Sequence, residues 1–242
     1  MPDPTASLTN AKPALSLLGR IRRLVQGIAP MILWIALLFA GAGRFDWARG
    51  WIAAAVYVLT MTATGALVHR CNPGLLEARA KFIRKDTPSF DRIFMWIYLP
   101  LTYIQVLVAG LDAVRFRALL LPQWTLVPGI ALFLAAMAMV TWTFLVNPFA
   151  ETRVRIQPDR SHTVVSTGPY HIVRHPMYVG SILMYPATAM MLGSGWAMAV
   201  AALILVLIVW RTAEEDRFLH RELPGYLEFA AHTRYRLIPG LW

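Results

Sequence analysis

Most of the residues able to do chemistry fall in two short stretches. The first, Ser161 to Gly180, reads SHTVVSTGPYHIVRHPMYVG. Gly168 and Pro169 form a turn signal, and Pro176 biases His175 toward an extended backbone before a helix begins. A helix opening at Pro176 has free N–H groups and a positive dipole end, which suit a carboxylate or other polar ligand group. An ordinary re-entry loop anchored by Tyr and Arg fits the same composition, and both readings stand at this point. The second stretch, WRTAEEDRFLH, places Glu214 and Glu215 three and four residues after Arg211. On one helix these three side chains share a side. Taken alone, the arrangement reads foremost as a common i,i+4 ion pair at a helix exit, of little energetic weight.

His171 and His175 are four apart, a spacing seen in metal boxes. The proline after His175 spoils the helix that would align them, and His69, His162, His220 and His232 form no second cluster. With Cys71 the single cysteine, no metal centre and no intramolecular disulfide are expected. No Gly-x-Gly-x-x-Gly follows a strand, so a dinucleotide-type cofactor site is absent and any cofactor pocket must be built from loops and helix ends.

The elements that position these residues are membrane helices. Of the 242 residues, 57% are hydrophobic and only 15% charged, with a mean hydropathy of +0.52. That composition excludes an ordinary soluble enzyme and a disordered chain. Charge-free runs cover Leu24 to Gly43, Gly50 to Val68, Ile93 to Leu111, Ala118 to Ala150 and Pro176 to Trp210. Each reaches the roughly 18 to 20 residues that cross about 30 Å of hydrocarbon. In the fourth run Pro122, Pro128 and Gly129 push the helix start to about Gly129. The last run, at about 1.5 Å per residue, is far too long for one crossing and is broken at Gly193-Ser194-Gly195, which makes it a helical hairpin.

The expectation is therefore an all-α integral membrane protein of about six transmembrane helices. Residues 1–146 form four N-terminal spans, and residues 147–242 form a core of loop, hairpin and C-terminal tail. With the N-terminus inside, 19 of the 23 Lys and Arg fall on the inner side, leaving Arg44, Arg49, Arg115 and Arg117 outside. This accounts for the net charge of +10 without nucleic acid. The basic cluster from Arg79 to Lys85 reads as a contact for anionic head groups. Tyr226, Phe229, Tyr235 and Trp242 read as packing and interfacial anchors of an amphipathic tail. The hairpin brings both chemistry-bearing stretches to one membrane face, so one cytosolic site draws on both.

In these stretches the chain resembles the isoprenylcysteine carboxyl methyltransferases and the related membrane phospholipid methyltransferases. The matching words are His162-Thr163-Val164-Val165, Gly168-Pro169-Tyr170, Arg174-His175-Pro176-Met177-Tyr178-Val179-Gly180, Arg211 followed by Glu214-Glu215, and Tyr226-Leu227-Glu228-Phe229. Their order and the apolar hairpin between them match too, over about the last 95 residues. The resemblance implies S-adenosyl-L-methionine bound at the cytosolic face, held by Gln157, His162, Thr163, Val164, Val165, Tyr170, His175, Pro176, Met177, Tyr178 and a carboxylate at Glu214 or Glu215. It also implies a reaction centre at Arg211 and Glu214. The Arg-to-Glu spacing is one residue tighter than the eukaryotic pattern, so both glutamates are carried.

The leading expectation is an S-adenosyl-L-methionine-dependent membrane methyltransferase acting on a lipophilic acceptor, foremost a carboxylate clamped by Arg211. The alternative within enzymes is a phospholipid N-methyltransferase. A transporter or lipid-binding protein is the alternative of another class; the chain has no internal repeat and no charged residue near mid-span, where ion-coupled transporters keep them. Acceptor contacts would come from the N-terminal helices, where Trp34, Tyr57, Trp96, Tyr103 and Trp142 either line a pocket or pack.

Overall fold

The computed structural model describes the backbone of residues 17–80 and 87–242 and the side chains of 27–80 and 87–242. Lys12, Arg20, Arg22, Arg23, Lys81, Arg84 and Lys85, counted above toward the inner charge, lie outside the described side chains. Among the described residues the protein is all-helical, with one isolated bridge pair, Leu120 and Ser194, and no strand.

Six long helices stand where the sequence places spans: α1 (Leu17–Ala42), α2 (Ala48–Cys71), α4 (Ser89–Gly110), α5 (Leu126–Val146), α6 (Pro176–Leu192) and α7 (Gly195–Glu222). Short helices α3 (Pro73–Arg79) and α8 (Tyr226–His232) complete the set. Four segments, Ala48–Cys71, Ser89–Phe116, Gln123–Val146 and Gly195–Glu222, are long and apolar enough to cross a membrane. The described apolar part of α1, Gly27–Ala42, is shorter, and α6 has 17 residues. Large apolar side chains such as Trp96, Val127 and Val206 are exposed on these helices, as lipid-facing positions are.

The helix boundaries follow local chemistry. Pro176 opens α6 at its first position, and His175 before it, at φ −126° and ψ 63°, is non-helical but not in the extended conformation expected of it. Gly193, at φ +78°, closes it in the left-handed conformation, and the Ser194 hydroxyl caps α7 by accepting from the Ala197 N–H at 3.0 Å. α5 begins three residues before the expected Gly129 because Pro128 falls in its first turn, where a missing N–H costs nothing. α7 runs unbroken past Trp210 to Glu222, so Arg211, Glu215 and Asp216 sit on a rigid extension of a span.

Close backbone approach holds the bundle together, as expected where lipid removes most of the hydrophobic drive. A Cβ on Gly180 would meet Ala136 O at 2.8 Å, and one on Gly129 would meet Met191 N at 2.8 Å, so α5 and α6 touch along their length. Gly41 and Gly110 make the equivalent contact between α1 and α4. At the end of the bundle opposite the chemistry-bearing stretches, Arg49 donates to Met190 O (2.6 Å) and Met191 O (2.9 Å), capping α6. Buried Asp112 accepts there from Ser194 Oγ (2.5 Å), Trp196 N (3.2 Å) and Leu119 N (2.8 Å), which fixes the hairpin turn.

Candidate functional site

At the other end, the loop between α5 and α6, the emergent half of α7 and the tail form one structure around Asp216. This carboxylate is almost fully buried. It accepts from Arg174 Nε (2.9 Å) and Nη2 (3.1 Å), Arg236 Nε (2.7 Å) and the Tyr226 hydroxyl (2.9 Å), and His175 Nε2 lies 3.2 Å away. Two main-chain bonds, Arg174 N to Tyr235 O (2.9 Å) and His175 N to Arg236 O (3.0 Å), strap the tail to the entrance of α6. A buried charge is tolerated only with such partners, so Asp216 is the post to which loop, hairpin and tail are tied. Burial, and then the charge of Asp216 and the hydrogen bond to it, push the Tyr226 phenol far above its ordinary range.

A second network stiffens the loop. Arg155 donates to both oxygens of Glu151 (3.1 Å each) and to Asp159 (2.9 Å), and these bonds raise its already high pKa. His162, on the same loop, lies with its ring centroid 4.5 Å from that of Phe149. Burial and the charges of Arg155 and Arg160 lower its pKa, so it is a neutral ring near neutral pH.

Between these networks lies a pocket whose empty space, open solvent included, is about 790 Å³. Of the residues singled out from the sequence, His162, Thr163, Val164, Val165, Tyr170, His175, Met177, Tyr178, Arg211 and Glu215 line it. Three do not. Pro176 is buried at the helix start. Gln157 turns away, donating to Phe149 O (2.8 Å) and accepting from Arg160 Nη1 (2.9 Å). Glu214 pairs with exposed Arg217 on the far side of α7. Glu215 is the carboxylate that faces inward, where it accepts from the Tyr178 hydroxyl. The one-residue difference between the two glutamates is a rotation of about 100° on a helix, enough to decide which one reaches the cavity.

Arg211 is nearly buried at the floor of this cavity. Its Nη2 lies 2.6 Å from Asp91 Oδ1 and donates to Thr152 O at 3.1 Å, and its guanidinium lies over the Phe94 ring at 4.4 Å and the Tyr178 ring at 5.4 Å. Its Nε has no hydrogen-bond partner, and neither has His162 Nδ1. Arg211 also lines a second cavity, whose empty space, open solvent included, is about 830 Å³, formed among α2, α4, α5, α6 and α7 by Met61, Thr64, Met95, Tyr98, Met137 and Ile208 among others. Arg211, Glu151, Met177 and Tyr178 are common to both cavities.

Several participants escape sequence reasoning. Asp91 precedes the third apolar run with no local motif, yet it is fully buried against Arg211. Asp216 is adjacent to the glutamates but on another face. Tyr226 and Phe229, read as packing and anchors, line the first cavity. Arg79, grouped with head-group contacts, lines the second cavity instead and donates to Ala150 O at 2.7 Å. The aromatic candidates of the N-terminal half do not line the second cavity: Trp34 and Tyr57 stack at 4.6 Å in the core, and Trp96 and Trp142 are exposed. Among the described residues no group of three His, Cys, Asp or Glu is placed to hold a metal.

Comparison with known proteins agrees with this geometry. Residues 124–223 match the phospholipid methyltransferase family. The matched segment takes in α5, the loop, the whole hairpin and the emergent part of α7. It supports a membrane protein of the methyltransferase kind, as the motif words imply. The chain is also 39% identical over 81 residues to a cobalt-zinc-cadmium resistance protein of Cupriavidus metallidurans; the alignment covers 32% of this chain and 37% of that protein.

Proposed function

We propose that the protein is a membrane methyltransferase that uses S-adenosyl-L-methionine in the first cavity and methylates a lipid-tailed acceptor held in the second. The observation that carries this reading is the junction. Two cavities, one walled by polar loop residues and one by apolar helices, meet at Arg211, Tyr178, Met177 and Glu151. A group-transfer enzyme needs two substrates brought end to end, and two cavities that share these residues support that arrangement.

The residues present fit the cofactor. Glu215 offers a carboxylate for its ammonium group, Val164, Val165, Leu219 and Leu223 offer apolar walls for a purine, and His162 Nδ1 is a buried polar atom still wanting a partner. Bound there, the cofactor supplies a methyl group made electrophilic by its sulfonium. Arg211 and Tyr178 then do the protein's share. The guanidinium orients an acidic acceptor by its oxygens, and the aromatic face of Tyr178, fixed by Glu215, shields the junction from water. An anionic carboxylate needs no base, whereas an amine must lose a proton. A cation at the junction therefore favours the carboxylate. Methylation of a phospholipid amine is the second reading, favoured by the description of the matched family.

On this reading the site lies at the cytosolic face with both termini. The test is transfer of a labelled methyl group in lipid nanodiscs to long-chain acids and, separately, to phosphatidylethanolamine. Label in the acid as a methyl ester is expected. Label only in the amine lipid overturns the carboxylate assignment in favour of the second reading.

A further inference from the structure

The second cavity contains a cation that the reaction as described does not use. Arg79 ends α3, a seven-residue helix outside the spans, and turns its side chain back into a chamber whose walls are mostly Met, Phe, Tyr, Val and Ile. Its guanidinium donates to Ala150 O and lies 4.4 Å from the centroid of the Phe144 ring. Among the described residues no carboxylate forms an ion pair with it. Arg211, which lines the same chamber, is paired with Asp91, and Glu151, the carboxylate of this lining, is engaged bidentately by Arg155. Burial and then the like charge of Arg211 pull the Arg79 pKa down to about 10, so it stays protonated at neutral pH, and the opposite charge that offsets this, Glu151, is the carboxylate Arg155 already engages. A mostly apolar chamber lined by two guanidinium groups and one carboxylate that Arg155 already engages favours an added anion and is hostile to an added ammonium.

We infer that Arg79 is a specificity-determining residue that makes the second cavity a receptor for lipid-tailed carboxylates and against lipid-tailed amines. The inference rests on reading that cavity as the acceptor chamber. Charge recognition would come from Arg79 together with Arg211, and tail recognition from the apolar walls, which do not read tail chemistry beyond size.

The test is binding, not turnover. Oleate, methyl oleate and oleylamine are titrated into the full-length protein in zwitterionic nanodiscs, at a pH where the acid is ionised and the amine protonated. The wild type should bind oleate in preference to the other two. Arg79→Gln should weaken oleate about tenfold or more, the worth of one charged hydrogen-bonding partner, and leave methyl oleate unchanged. Arg79→Lys should restore part of the affinity. Unchanged S-adenosyl-L-methionine binding by Arg79→Gln serves as the check that the variant is folded. Equal oleate binding by wild type and Arg79→Gln overturns the inference, as does equal weakening of oleate and its ester, which marks Arg79 as structural. Displacement of oleate by phosphatidylglycerol added to the discs also overturns it, by assigning the charge pair to a lipid phosphate. Charge-selective oleate binding in a protein that binds no S-adenosyl-L-methionine would leave this inference standing while refuting the proposed function, so the two fail separately.

Discussion

On the proposed function, Tyr178, Arg211 and Glu215 divide the labour at the junction, and their substitutions should separate it. Tyr178→Ala removes both a cavity wall and the hydroxyl that fixes Glu215, so it should weaken S-adenosyl-L-methionine binding about tenfold or more. Arg211→Ala should leave that binding nearly intact and lower turnover by about 100-fold, the scale of losing an electrostatic contact at a reaction centre. Normal turnover in the arginine variant would remove it from the mechanism. The neighbouring glutamates give a sharper contrast, since Glu215→Gln should weaken cofactor binding and Glu214→Gln, facing Arg217 outside the cavity, should not. His162 adds a pH signature. Its folded pKa is lowered from the ordinary 6.5, so the unfolded chain takes up its proton first as pH falls. The stability due to its neutral form is fully present above 6.5 and is lost as pH drops through that value toward the lowered one. Melting midpoints against pH should show a decline in acid that is smaller in His162→Gln; identical slopes would contradict the burial of this ring.

The helices that hold these side chains depend on glycine at their crossings. A methyl group on Gly180 would press into Val140 Cγ2 at 2.6 Å and Ala136 O at 2.8 Å, so α5 and α6 must part. Gly180→Ala should cost about 1 to 3 kcal/mol and lower the melting temperature in detergent, whereas Gly65→Ala, with open space around it, should not. The sequence made these elements legible to different degrees. Hydrophobic runs and the Gly193-Ser194-Gly195 break locate the helices because lipid imposes an apolar run of near-fixed length. Pro176 marks the start of α6 because proline belongs at that position. The loop between α5 and α6 is legible only as words, since its shape is imposed from outside. Arg174 and His175 bond to the backbone of Tyr235 and Arg236, some 60 residues on, and Asp216 gathers its partners from three segments. Nothing local announces such long-range ties, which is why Asp91, Asp216 and Arg79 are found by geometry alone.

On the scale of the whole molecule, polarity runs along one axis. Asp112 and Arg49 fasten the end with the short connections, and the first cavity lies at the end that carries the loop and tail. On the proposed reading, the charge bias of the sequence puts that second end in the cytosol. Cys71, exposed at the loop end of α2, is a native reporter. In intact cells an impermeant maleimide should leave Cys71 unlabelled and should label Arg44→Cys placed in a Cys71→Ser background. The opposite pattern would turn the molecule over and place the site outside.

The most direct measurement of the central claim is calorimetric binding of S-adenosyl-L-methionine and S-adenosylhomocysteine to the purified full-length protein in lipid, with Glu215→Gln and His175→Ala beside it. The account predicts micromolar binding of both compounds by the wild type and a loss of about tenfold or more in each variant. Absence of binding by folded wild-type protein, or binding indifferent to both substitutions, would contradict it.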